Sequence, residues 1–514
     1  MLDPNFNDTS SATSTNTRHV MHRLRRLGHA TSIYTRQYGP QTIHVQARHN
    51  TMNAIINEIN TPTPHSTGSL KGKTIAIKDN IVTTSTPTTA ASKTIHNYTS
   101  PFDATVVELL RSHGASISSK TNLDEFGMGS HSQQSFFGPT VSPFKRHGVA
   151  LSAGGSSGGS AVAVAQGQVW AALGTDTGGS VRLPAAWTGV VGFKPSYGLL
   201  SRWGVIQYAN SLDTVGILSR RVADARTVFE ALNVFDSQDP TSLPRSVRQR
   251  IAARKERNSA KGLRIGVPTS YIISELSPAV RAAYSSTLTS LQNSGHTLIP
   301  IDSPTTQQAL LAYYILAPAE ASSNLAKYDG IRYGFRPPGP DARPKLNMPL
   351  YATTRGQGFG DEVQRRILLG AYTLSSEAMG NYFLQAQKIR RLVQQDFDRV
   401  FAMSHPLHDN ATSSTGDESG KGVDIILTPT APILPPTIEE VEQQSAVERY
   451  MNDVFTVPPS LAGLPAASVP VALPVSVQAE LGADDVKTAG MQVIGQFGDD
   501  ELVLEAAEIV EGLR

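Results

Sequence analysis

The sequence predicts an α/β protein with one large domain, in which helices cover a mixed central β-sheet. Two observations support this fold class. Strand-like apolar runs alternate with helical patterns along the chain, and no internal repeat interrupts them. The candidate catalytic and binding residues are spread along the sequence from Lys78 to Asp453. A single folded domain is therefore needed to bring them together. Although 514 residues would permit two or three domains, we therefore expect one.

The composition is typical of a soluble globular protein and excludes several kinds of chemistry. Hydrophobic residues make up 39% of the chain, and no apolar run approaches the roughly 18 residues that a membrane span needs. The net charge of +2 is smaller than that of a dedicated nucleic-acid binder. The absence of cysteine excludes disulfides, thiolate metal sites and a cysteine nucleophile. Any hydrolytic nucleophile must therefore be a hydroxyl group.

The first residues differ in composition from the rest of the chain. Residues 9–57 contain no aspartate or glutamate but are rich in serine, threonine and arginine. This composition is typical of an organelle transit peptide, so we expect residues 1–45 to be a transit peptide or disordered tail and the destination to be the mitochondrial matrix. Asp3 and Asp8 are atypical of transit peptides. The alternative is a disordered polar tail that carries no targeting signal.

The globular part begins near residue 46 and extends to residue 514. Its most informative early element is the alternating apolar segment 74–80, which predicts a strand with Lys78 at its end. The other elements expected before the glycine-rich region are a helix over residues 47–59, a helix over 103–113 and a strand over 115–118.

Residues 68–74, with the sequence GSLKGKT, nearly match a phosphate-binding loop. The segment is one residue too short between its glycines. It also precedes a strand, whereas the phosphate-binding motif follows a strand and opens a helix. We therefore reject a nucleotide site here.

Two loops rich in glycine and serine are the strongest chemical feature of the chain. They are GGSSGGS at residues 154–160 and GTDTGGS at residues 174–180. Glycine lets backbone amides point inward at a ligand, so Ser156 and Ser180 within these loops are candidate nucleophiles. Ser180 is also expected to open a short helix, beside unpaired amides. Between the loops we expect a helix over residues 160–168 and a buried strand over 169–173.

The two loops, GGSSGGS followed by GTDTGGSVRLPA, resemble the signature of the amidase signature family of serine hydrolases. The resemblance covers about residues 45–514. It implies a Ser–cisSer–Lys triad, with Ser180 as the nucleophile, Ser156 as the bridging serine and Lys78 as the base. It also implies a mixed sheet of about eleven strands, in agreement with the fold class above.

These roles agree with elementary chemistry. A serine hydroxyl needs a base within hydrogen-bond reach, yet neither loop contains histidine. His131 and His147 are the closest in sequence, and we expect both to be loop or surface residues. A lysine acts as a base only when neutral, which requires its pKa to fall by about three units from about 10.4. Burial would supply this shift for Lys78, with Ser156 relaying the proton from Ser180.

The turn around Ser180 is expected to stabilise a developing oxyanion. Each backbone amide that points at this charge contributes roughly 3 to 4 kcal/mol in the transition state. We expect Asp176 and Arg182, together with Ser157, to support the loops by ion pairing or hydrogen bonding without taking part in the chemistry. The amides expected to form the oxyanion hole are those of Thr177, Gly178, Gly179 and Ser180.

Other interpretations of the loops are less favourable. They could hold a phosphate or be flexible turns, but two such loops separated by one buried strand argue against this. Gly154, Ser156 and Gly158 match the nucleophile elbow of α/β-hydrolases, which follows a strand and needs a downstream aspartate and histidine. No strong strand is expected before Gly154. A binding subunit without activity is disfavoured because every catalytic position is retained.

Three segments resemble one branch of the family, whose members are the A subunits of tRNA-dependent amidotransferases. From the residues alone, Asp124 and Glu125 in the first segment are charges of a first helical turn. The branch resemblance implies that Arg366 binds the α-carboxylate of glutamine and that Asp453 binds its α-ammonium, pairings that suit a guanidinium and a carboxylate. The three segments are residues 121–130, 320–330 and 362–370.

This branch implies a glutaminase that supplies ammonia to partner subunits of the B and C types. The complex would convert misacylated Glu-tRNA(Gln) to Gln-tRNA(Gln) with ATP and Mg²⁺. No nucleotide or metal motif is present in this chain, so we expect no cofactor here and place ATP and Mg²⁺ in the partner. A free-standing serine amidase that acts on small amides without partners is the alternative.

Downstream of the loops, strands and helices continue to alternate. Residues 245–264 hold eight basic residues against one glutamate, which indicates either a solvated helix face or a surface that meets tRNA. Residues 404–422 are poor in apolar side chains, and we expect a disordered insertion. The main elements expected are strands at 190–195, 212–218, 263–268, 297–301 and 424–428, and helices at 222–233, 278–293 and from 499 onward.

Overall fold

Thirteen β-strands lie in the part of the chain that the computed structural model describes, which is residues 52–59, 67–84, 86–253, 262–340, 349–407 and 422–513. Eleven of them form one sheet, with the order β1-β3-β2-β6-β8-β7-β12-β13-β11-β9-β10, and β4 pairs with β5. The strands are β1 (Ile55–Glu58), β2 (Thr74–Lys78), β3 (Ser116–Thr121), β4 (Val141–Arg146), β5 (Val149–Ser152), β6 (Ala171–Asp176), β7 (Val191–Lys194), β8 (Thr214–Ser219), β9 (Arg264–Pro268), β10 (Thr297–Ile301), β11 (Ile425–Pro429), β12 (Ala466–Ala472) and β13 (Thr488–Ile494).

The large sheet is mixed. Strands β3, β2 and β6 run parallel to one another, as do β11, β9 and β10. The six strands from β6 to β11 in sheet order pair antiparallel at each step. The predicted single α/β domain with a mixed central sheet is confirmed.

Helices flank the sheet. They are α1 (Thr105–Ser112), α2 (Gly158–Ala165), α3 (Arg182–Thr188), α4 (Val222–Leu232), α5 (Arg245–Ala252), α6 (Pro278–Asn293), α7 (Thr306–Asn324), α8 (Ala352–Gly358), α9 (Asp361–Thr373), α10 (Phe383–Val400), α11 (Ile438–Gln443), α12 (Ala446–Met451), α13 (Val457–Leu461), α14 (Val475–Glu480) and α15 (Asp500–Glu511). None of the helices in the described ranges has the length and apolar character needed to cross a membrane.

The middle of the sheet is buried along whole strands. Every residue of β6 and β8 is buried, because helices cover these strands and their side chains are apolar or small. Gly174 in β6 shows how closely the start of α2 approaches, since a β-carbon there would lie 2.8 Å from Oγ of Ser157. The small residues of β6 therefore let the serine-bearing loop lie directly on the sheet.

The pairing of β2 with β6 positions the chemically informative residues. The two strands are parallel neighbours, and Ile77 is opposite Leu173. Because the carboxyl ends of parallel neighbours meet at one edge of a sheet, Lys78 at the end of β2 lies beside Thr175 in β6 and the loop that follows it. The topology thus joins segments about a hundred residues apart in sequence.

The first predicted element is wrong. The sequence pattern predicts a helix over residues 47–59, but Ile55–Glu58 is strand β1, which pairs antiparallel with β3. Ile55 and Ile56 are β-branched and suit a strand, and the exposed edge of β3 supplies the hydrogen-bond partners. Tertiary pairing therefore overrides the local helical pattern.

Most other elements agree with the local patterns. Helix α6 spans Pro278–Asn293, and the side chain of Ser277 accepts a hydrogen bond from the backbone of Val280 at its start. The basic run begins with helix α5 (Arg245–Ala252), whose only buried residue is Val247. The expected tail over residues 1–45 and all but the ends of the 404–422 insertion lie outside the described residues.

Candidate active site

The amine of Lys78 lies among hydroxyl groups at the end of β2. Its Nζ is 2.8 Å from Oγ of Ser156, 2.8 Å from Oγ of Ser157 and 3.0 Å from Oγ1 of Thr175. The side chain is fully buried. Asn80, two residues further on, donates from Nδ2 to Oγ1 of Thr175 over 3.0 Å. The predicted base and the predicted bridging serine are therefore in direct contact.

Burial lowers the pKa of Lys78 from 10.5 to about 7, although the nearby carboxylates of Asp124, Asp176 and Asp213 act in the opposite direction. A substantial fraction of this amine is therefore neutral at neutral pH. A neutral amine donates two hydrogen bonds and keeps one lone pair. Two of its hydroxyl neighbours can accept from it, while a third donates its proton to the lone pair, as a base requires.

The two serine-bearing loops are joined through their backbones. The peptide bond between Gly155 and Ser156 is cis, as the family resemblance implies. The next amide, that of Ser157, donates to the carbonyl oxygen of Ser180 over 3.0 Å. Ser156 therefore contacts Lys78, while its neighbour Ser157 bonds to the turn that carries Ser180, a residue that is only 9% exposed.

The turn at residues 177–180 presents uncommitted backbone amides. In the described part of the chain, none of these four amides donates a hydrogen bond. Gly179 has a φ of +148°, and a β-carbon on it would lie 2.2 Å from Oγ1 of Thr456. A β-carbon on Gly178 would lie 2.6 Å from the ring of Tyr313. Only glycine fits both positions, and the free amides form a ready site for an oxyanion.

Asp176 and Arg182 form a fully buried ion pair that supports this turn. Arg182 donates from Nη2 and Nε to the carboxylate, over 2.8 and 3.0 Å. It also donates over 2.7 Å to Gln492 on β13 and over 2.7 Å to Ser460 on α13. Burial alone would raise the pKa of Asp176, but Arg182 outweighs it and holds that pKa below its usual range. Both residues, like Ser157, lie where supporting residues were expected.

Arg366 lies on the buried face of α9, inside a cage of three tyrosine rings. The guanidinium is 5.7 Å from the ring centre of Tyr208, 5.5 Å from that of Tyr314 and 5.8 Å from that of Tyr450. Its Nε donates to Glu362 over 2.8 Å, and its Nη1 donates to the hydroxyl of Tyr208 over 2.7 Å. These contacts fix the guanidinium and leave Nη2 for another partner.

Asp453 lies beside the nucleophile turn, because a β-carbon on Gly179 would be 3.3 Å from its Oδ1. Its Oδ2 accepts hydrogen bonds from Ser130 over 2.6 Å and from Tyr314 over 3.3 Å. Burial raises the pKa of Asp453 to about 7, which Ser130 and Arg366 partly oppose. The ring of Tyr314 thus contacts both Arg366 and Asp453. The two charged side chains do not form an ion pair with each other within the described ranges.

His131 and His147 both lie in loops, as expected, although His131 is a buried loop residue. His131 is 4% exposed, and burial lowers its pKa to about 3. Its Nδ1 is 3.1 Å from Oγ of Ser152, and its Nε2 is 3.3 Å from Nδ2 of Asn452. It therefore supports the segment that contains Asp453. His147 is exposed in the turn between β4 and β5.

The strand before the GxSxG segment, β5, is only four residues long, and no strong strand was expected there. It belongs to the separate two-stranded sheet, and Ser156 contacts Lys78. In the parts of the chain that are described, no histidine forms a hydrogen bond with Ser156 or Ser180. The geometry therefore does not support the α/β-hydrolase arrangement.

Glu125 lies in a first helical turn and Asp124 caps it, as expected from the residues, but both are buried. Asp124 is fully buried, Glu125 is 5% exposed, and only a 3₁₀ turn (Glu125–Gly127) follows. The segment packs against the active-site loops, since the amide of Asp124 donates to the carbonyl oxygen of Ser156 over 3.2 Å. The sequence pattern, an adjacent pair of acidic residues, does not indicate that the segment packs against the active-site loops.

The residues missed by sequence reasoning are mainly tyrosines. Tyr208, Tyr313, Tyr314 and Tyr450 come from separate segments, and a tyrosine on a helix is commonly a core residue. Asp213 was also missed, although it accepts hydrogen bonds over 2.8 Å from both Thr177 and the amide of Tyr208. The described residues contain no cluster of histidine, aspartate and glutamate suited to a metal ion.

Comparison with known proteins is consistent with this geometry. A family model described as Amidase matches residues 41–504. The A subunit of the mitochondrial glutamyl-tRNA(Gln) amidotransferase of Ajellomyces capsulatus is 54% identical over 469 residues, which cover 87% of this chain and 90% of that protein. The protein of the same name from Coccidioides posadasii is 56% identical over 456 residues, covering 87% and 89%.

Solved structures show the same similarity. The A subunit of the glutamyl-tRNA(Gln) amidotransferase of Thermotoga maritima is 35% identical, with a TM-score of 0.67 and coverage of 88% of this chain and 86% of that one. A crystal structure of an amidase is 27% identical, with a TM-score of 0.65 and coverage of 87% and 85%.

Proposed function

This chain belongs to the amidase signature family, and from that membership we propose that it is the glutamine-hydrolysing component of a tRNA-dependent amidotransferase. The relatives named as A subunits share more than half of their aligned residues with it. The alignments span most of both chains, so the similarity extends well beyond the two glycine-rich loops. The activity is a glutamine amidohydrolase that serves a carbon–nitrogen ligase.

The chemistry begins at Ser180. As its oxygen forms a bond with the side-chain amide carbon of glutamine, its proton passes to Ser156, and the proton of Ser156 passes to Lys78. The tetrahedral intermediate then breaks its carbon–nitrogen bond, and the leaving nitrogen takes the proton back through the same relay. Ammonia leaves, and Ser180 carries a γ-glutamyl ester. Water attacks this ester through the same proton path and releases glutamate.

The amides of residues 177–180 stabilise the negative oxygen of each tetrahedral intermediate. They are free in the described structure and held by the turn, so little reorganisation is needed as the charge develops. Asp176 and Arg182 maintain the turn through their buried ion pair. Ser157 contributes from the other loop by accepting one of the Lys78 hydrogen bonds.

The observation that carries the proposal is the buried cation and anion, not paired with each other, beside the nucleophile. Arg366 and Asp453 are 3% and 6% exposed. Glu362 pairs with Nε of Arg366, but Nη2 of Arg366 is left without a partner and Asp453 without a cation in the described residues. Burying such groups costs several kcal/mol unless a ligand completes their pairing. An amino acid carries the complementary pair, a carboxylate for Arg366 and an ammonium for Asp453. Glutamine satisfies both and carries the amide that Ser180 attacks.

The released ammonia can be transferred to a substrate only if the acceptor is bound nearby. We therefore expect this chain to function within a heteromeric complex. Partner subunits of the B and C types would hold ATP, Mg²⁺ and the misacylated Glu-tRNA(Gln). They would amidate the tRNA-bound glutamate with the ammonia released here. The curated relatives are named as mitochondrial, and we place this chain in the mitochondrial matrix.

The test removes one charge of the pair at a time in the assembled complex. Arg366→Ala or Asp453→Ala leaves a substrate charge unpaired, so we expect kcat/KM for glutamine to fall by about 3 to 5 kcal/mol, roughly 10² to 10³-fold or more. Amidation of Glu-tRNA(Gln) driven by added ammonium should continue, because it bypasses the glutaminase site. Arg391→Ala, on the exposed side of α10, is the matched control and should leave both activities unchanged.

Two outcomes would contradict the proposal. Equal loss of the glutamine-driven and ammonium-driven reactions would show that Arg366 and Asp453 do not act in glutamine binding. Full hydrolysis of small amides by the isolated chain, with no preference for glutamine and no stimulation by partners, would establish the free-standing amidase instead.

A further inference from the structure

Asp124 and Glu125 are adjacent carboxylates that the mechanism above does not use. Both are buried, and neither forms an ion pair within the described ranges. A buried carboxylate without a cation is costly, and it is retained only if other groups compensate the charge. Backbone amides compensate Asp124, which also contacts the loop that carries Ser156, and Glu125 is compensated partly by the start of the helix that carries Arg366.

Asp124 is bound to the peptide that presents Ser156. Its backbone amide donates to the carbonyl oxygen of Ser156 over 3.2 Å. Its carboxylate accepts from the amides of Ser132 and Gln134, each over 2.9 Å. A β-carbon on Gly155 would lie 2.2 Å from its Oδ2. The carboxylate therefore packs directly against the peptide between Gly155 and Ser156.

Among the nearby carboxylates, Asp124 has the largest effect on the pKa of the base, Lys78. It stabilises the protonated amine, as do Asp176 and Asp213 to a smaller extent. Asp176 is committed to Arg182. Burial raises the pKa of Asp124 to about 6, and Lys78 and Arg366 are the cations that oppose this rise. When Lys78 takes up a proton during turnover, Asp124 is thus the carboxylate placed to compensate the new charge.

Glu125 binds the start of the helix that carries Arg366. Its Oε2 accepts a hydrogen bond over 2.7 Å from the amide of Gly360, the residue that caps α9. Its Oε1 accepts from the hydroxyl of Ser92. A β-carbon on Gly360 would lie 2.6 Å from Oε2. Glu125 therefore packs closely against Gly360. This contact fixes the start of α9 relative to residues 124–125, and Arg366 lies six residues after Gly360.

We propose that Asp124 and Glu125 are positioning residues that hold the nucleophile loop and the substrate-binding helix in one fixed arrangement. Asp124 acts on the Lys78–Ser156 pair, and Glu125 acts on Arg366 through α9. The proposal rests on the proposed function, because it assigns glutamine binding to Arg366. The two residues share one rigid segment, yet their substitutions affect different kinetic parameters.

The test compares Asp124→Asn with Glu125→Gln in the assembled complex. Asp124→Asn removes the anion that favours protonated Lys78, so the acid limb of the kcat profile should move to lower pH by about one unit. Asp176 and Asp213 still face Lys78 in this variant. Glu125→Gln loosens the start of α9, so KM for glutamine should rise about tenfold or more while the acid limb stays in place. Asp361, the charged neighbour of Glu125 on α9, is unchanged in both.

A reagent that reacts without glutamine recognition distinguishes failure of the positioning proposal from failure of the proposed function. A small sulfonyl fluoride modifies an activated serine, and its rate at Ser180 reports the nucleophile alone. Glu125→Gln should react like the wild type, whereas Asp124→Asn should show the shifted pH dependence. If Ser180 of the wild type is modified but glutamine is not hydrolysed, the proposed function fails. The pH shift of Asp124→Asn can still be measured in that case.

Two glycine variants guard against a simple folding defect. Gly360→Ala disturbs the Glu125 contact from the helix side and should reproduce the rise in KM. Gly356→Ala in α8, where a β-carbon meets nothing within 4 Å, is the matched control and should leave KM unchanged. Proportional changes of kcat and KM in both acidic variants, with no pH shift in Asp124→Asn, would overturn the proposal.

Discussion

Burial lowers the pKa of Lys78, and the atoms that contact its amine are neutral oxygens. Lys120 on the neighbouring strand β3 is equally buried, but it lies 3.1 Å from the carboxylate of Asp79. It also donates over 2.8 Å to Thr88. Two buried lysines on adjacent strands thus have different environments. Only Lys78, which contacts hydroxyls in place of a carboxylate, is positioned to accept a proton from Ser156.

We expect the glutaminase activity to fall as the pH is lowered through about 7. The pKa of Lys78 is lowered to about 7, so the amine is neutral and able to act as a base above that pH and protonated below it. Asp453, with its pKa raised to about 7, must be ionised to bind an ammonium, which adds to the loss on the acid side. The measurement is kcat/KM for glutamine between about pH 6 and about pH 9.

The ammonium-driven reaction of the same complex is the control for this pH profile, since it does not use Lys78. A glutamine profile that stays flat from about pH 6 to about pH 8 would contradict the assignment of Lys78 as a base that acts in its neutral form. A limb shared by both reactions, after the ammonium-driven rate is corrected for the fraction present as free ammonia, would indicate titration in the partner subunits.

The residues to which we assign the reaction were proposed from the sequence, whereas their surroundings could not be. Ser156 and Ser180 lie in glycine-rich loops whose composition is itself informative, and Lys78 ends an alternating strand. The tyrosine cage around Arg366 carries no comparable pattern, because its members are spread from Tyr208 to Tyr450. Tyr314 comes from α7, Tyr450 from α12 and Tyr208 from the segment between β7 and β8, so tertiary packing brings them together.

At the scale of elements, the close packing of α9 against α7 determines where Arg366 lies. A β-carbon on Gly370 of α9 would lie 2.0 Å from the carbonyl oxygen of Pro318 in α7. Gly370→Ala should therefore force the helices apart and destabilise the protein by about 1 to 3 kcal/mol. Urea unfolding measures this as a lower midpoint with an unchanged slope.

The control for Gly370→Ala is Gly356→Ala in α8. A β-carbon there meets no atom within 4 Å, and alanine is favoured over glycine in a helix by up to about 1 kcal/mol. We expect this variant to be neutral or slightly more stable. Equal midpoints for both variants would mean that α9 and α7 do not pack as closely as the structure indicates.

Elements with strong local signals were predicted well, and elements defined by distant partners were not. Helix α6 begins at Pro278 after the capping residue Ser277, and both are recognisable in the sequence. Strand β10 has the range expected from its apolar run. Strand β1, by contrast, exists because β3 offers it an edge. A pattern read within a few residues contains no information about such a partner.

At the scale of the whole molecule, the N-terminal segment is expected to direct the chain to mitochondria. Residues 1–57 fused to a fluorescent reporter should localise there, because residues 9–57 are free of acidic side chains and carry arginines throughout. The same fusion with Arg23, Arg25 and Arg26 changed to glutamate is the control and should stay cytosolic. A diffuse signal from the unaltered fusion would leave the segment as a polar tail.

The single domain and the mixed sheet followed from the alternation of strands and helices, but the order of the strands did not. Strand β6 lies between β2 and β8, and β12 and β13 lie between β7 and β11. Such crossovers depend on which faces and edges pack best once the chain is collapsed. No periodicity within one segment can specify them.

The ion pair between Asp176 and Arg182 has a consequence for the order in which the working enzyme is completed. Arg182 is also held by Ser460 and by Gln492 on β13, close to the carboxyl end. The base, in contrast, comes from the second strand of the chain. A nascent chain therefore contains both Lys78 and Ser180 before the segments that hold Arg182 have been made. We expect glutamine hydrolysis to begin only after β13 has docked and Gln492 holds Arg182 in place.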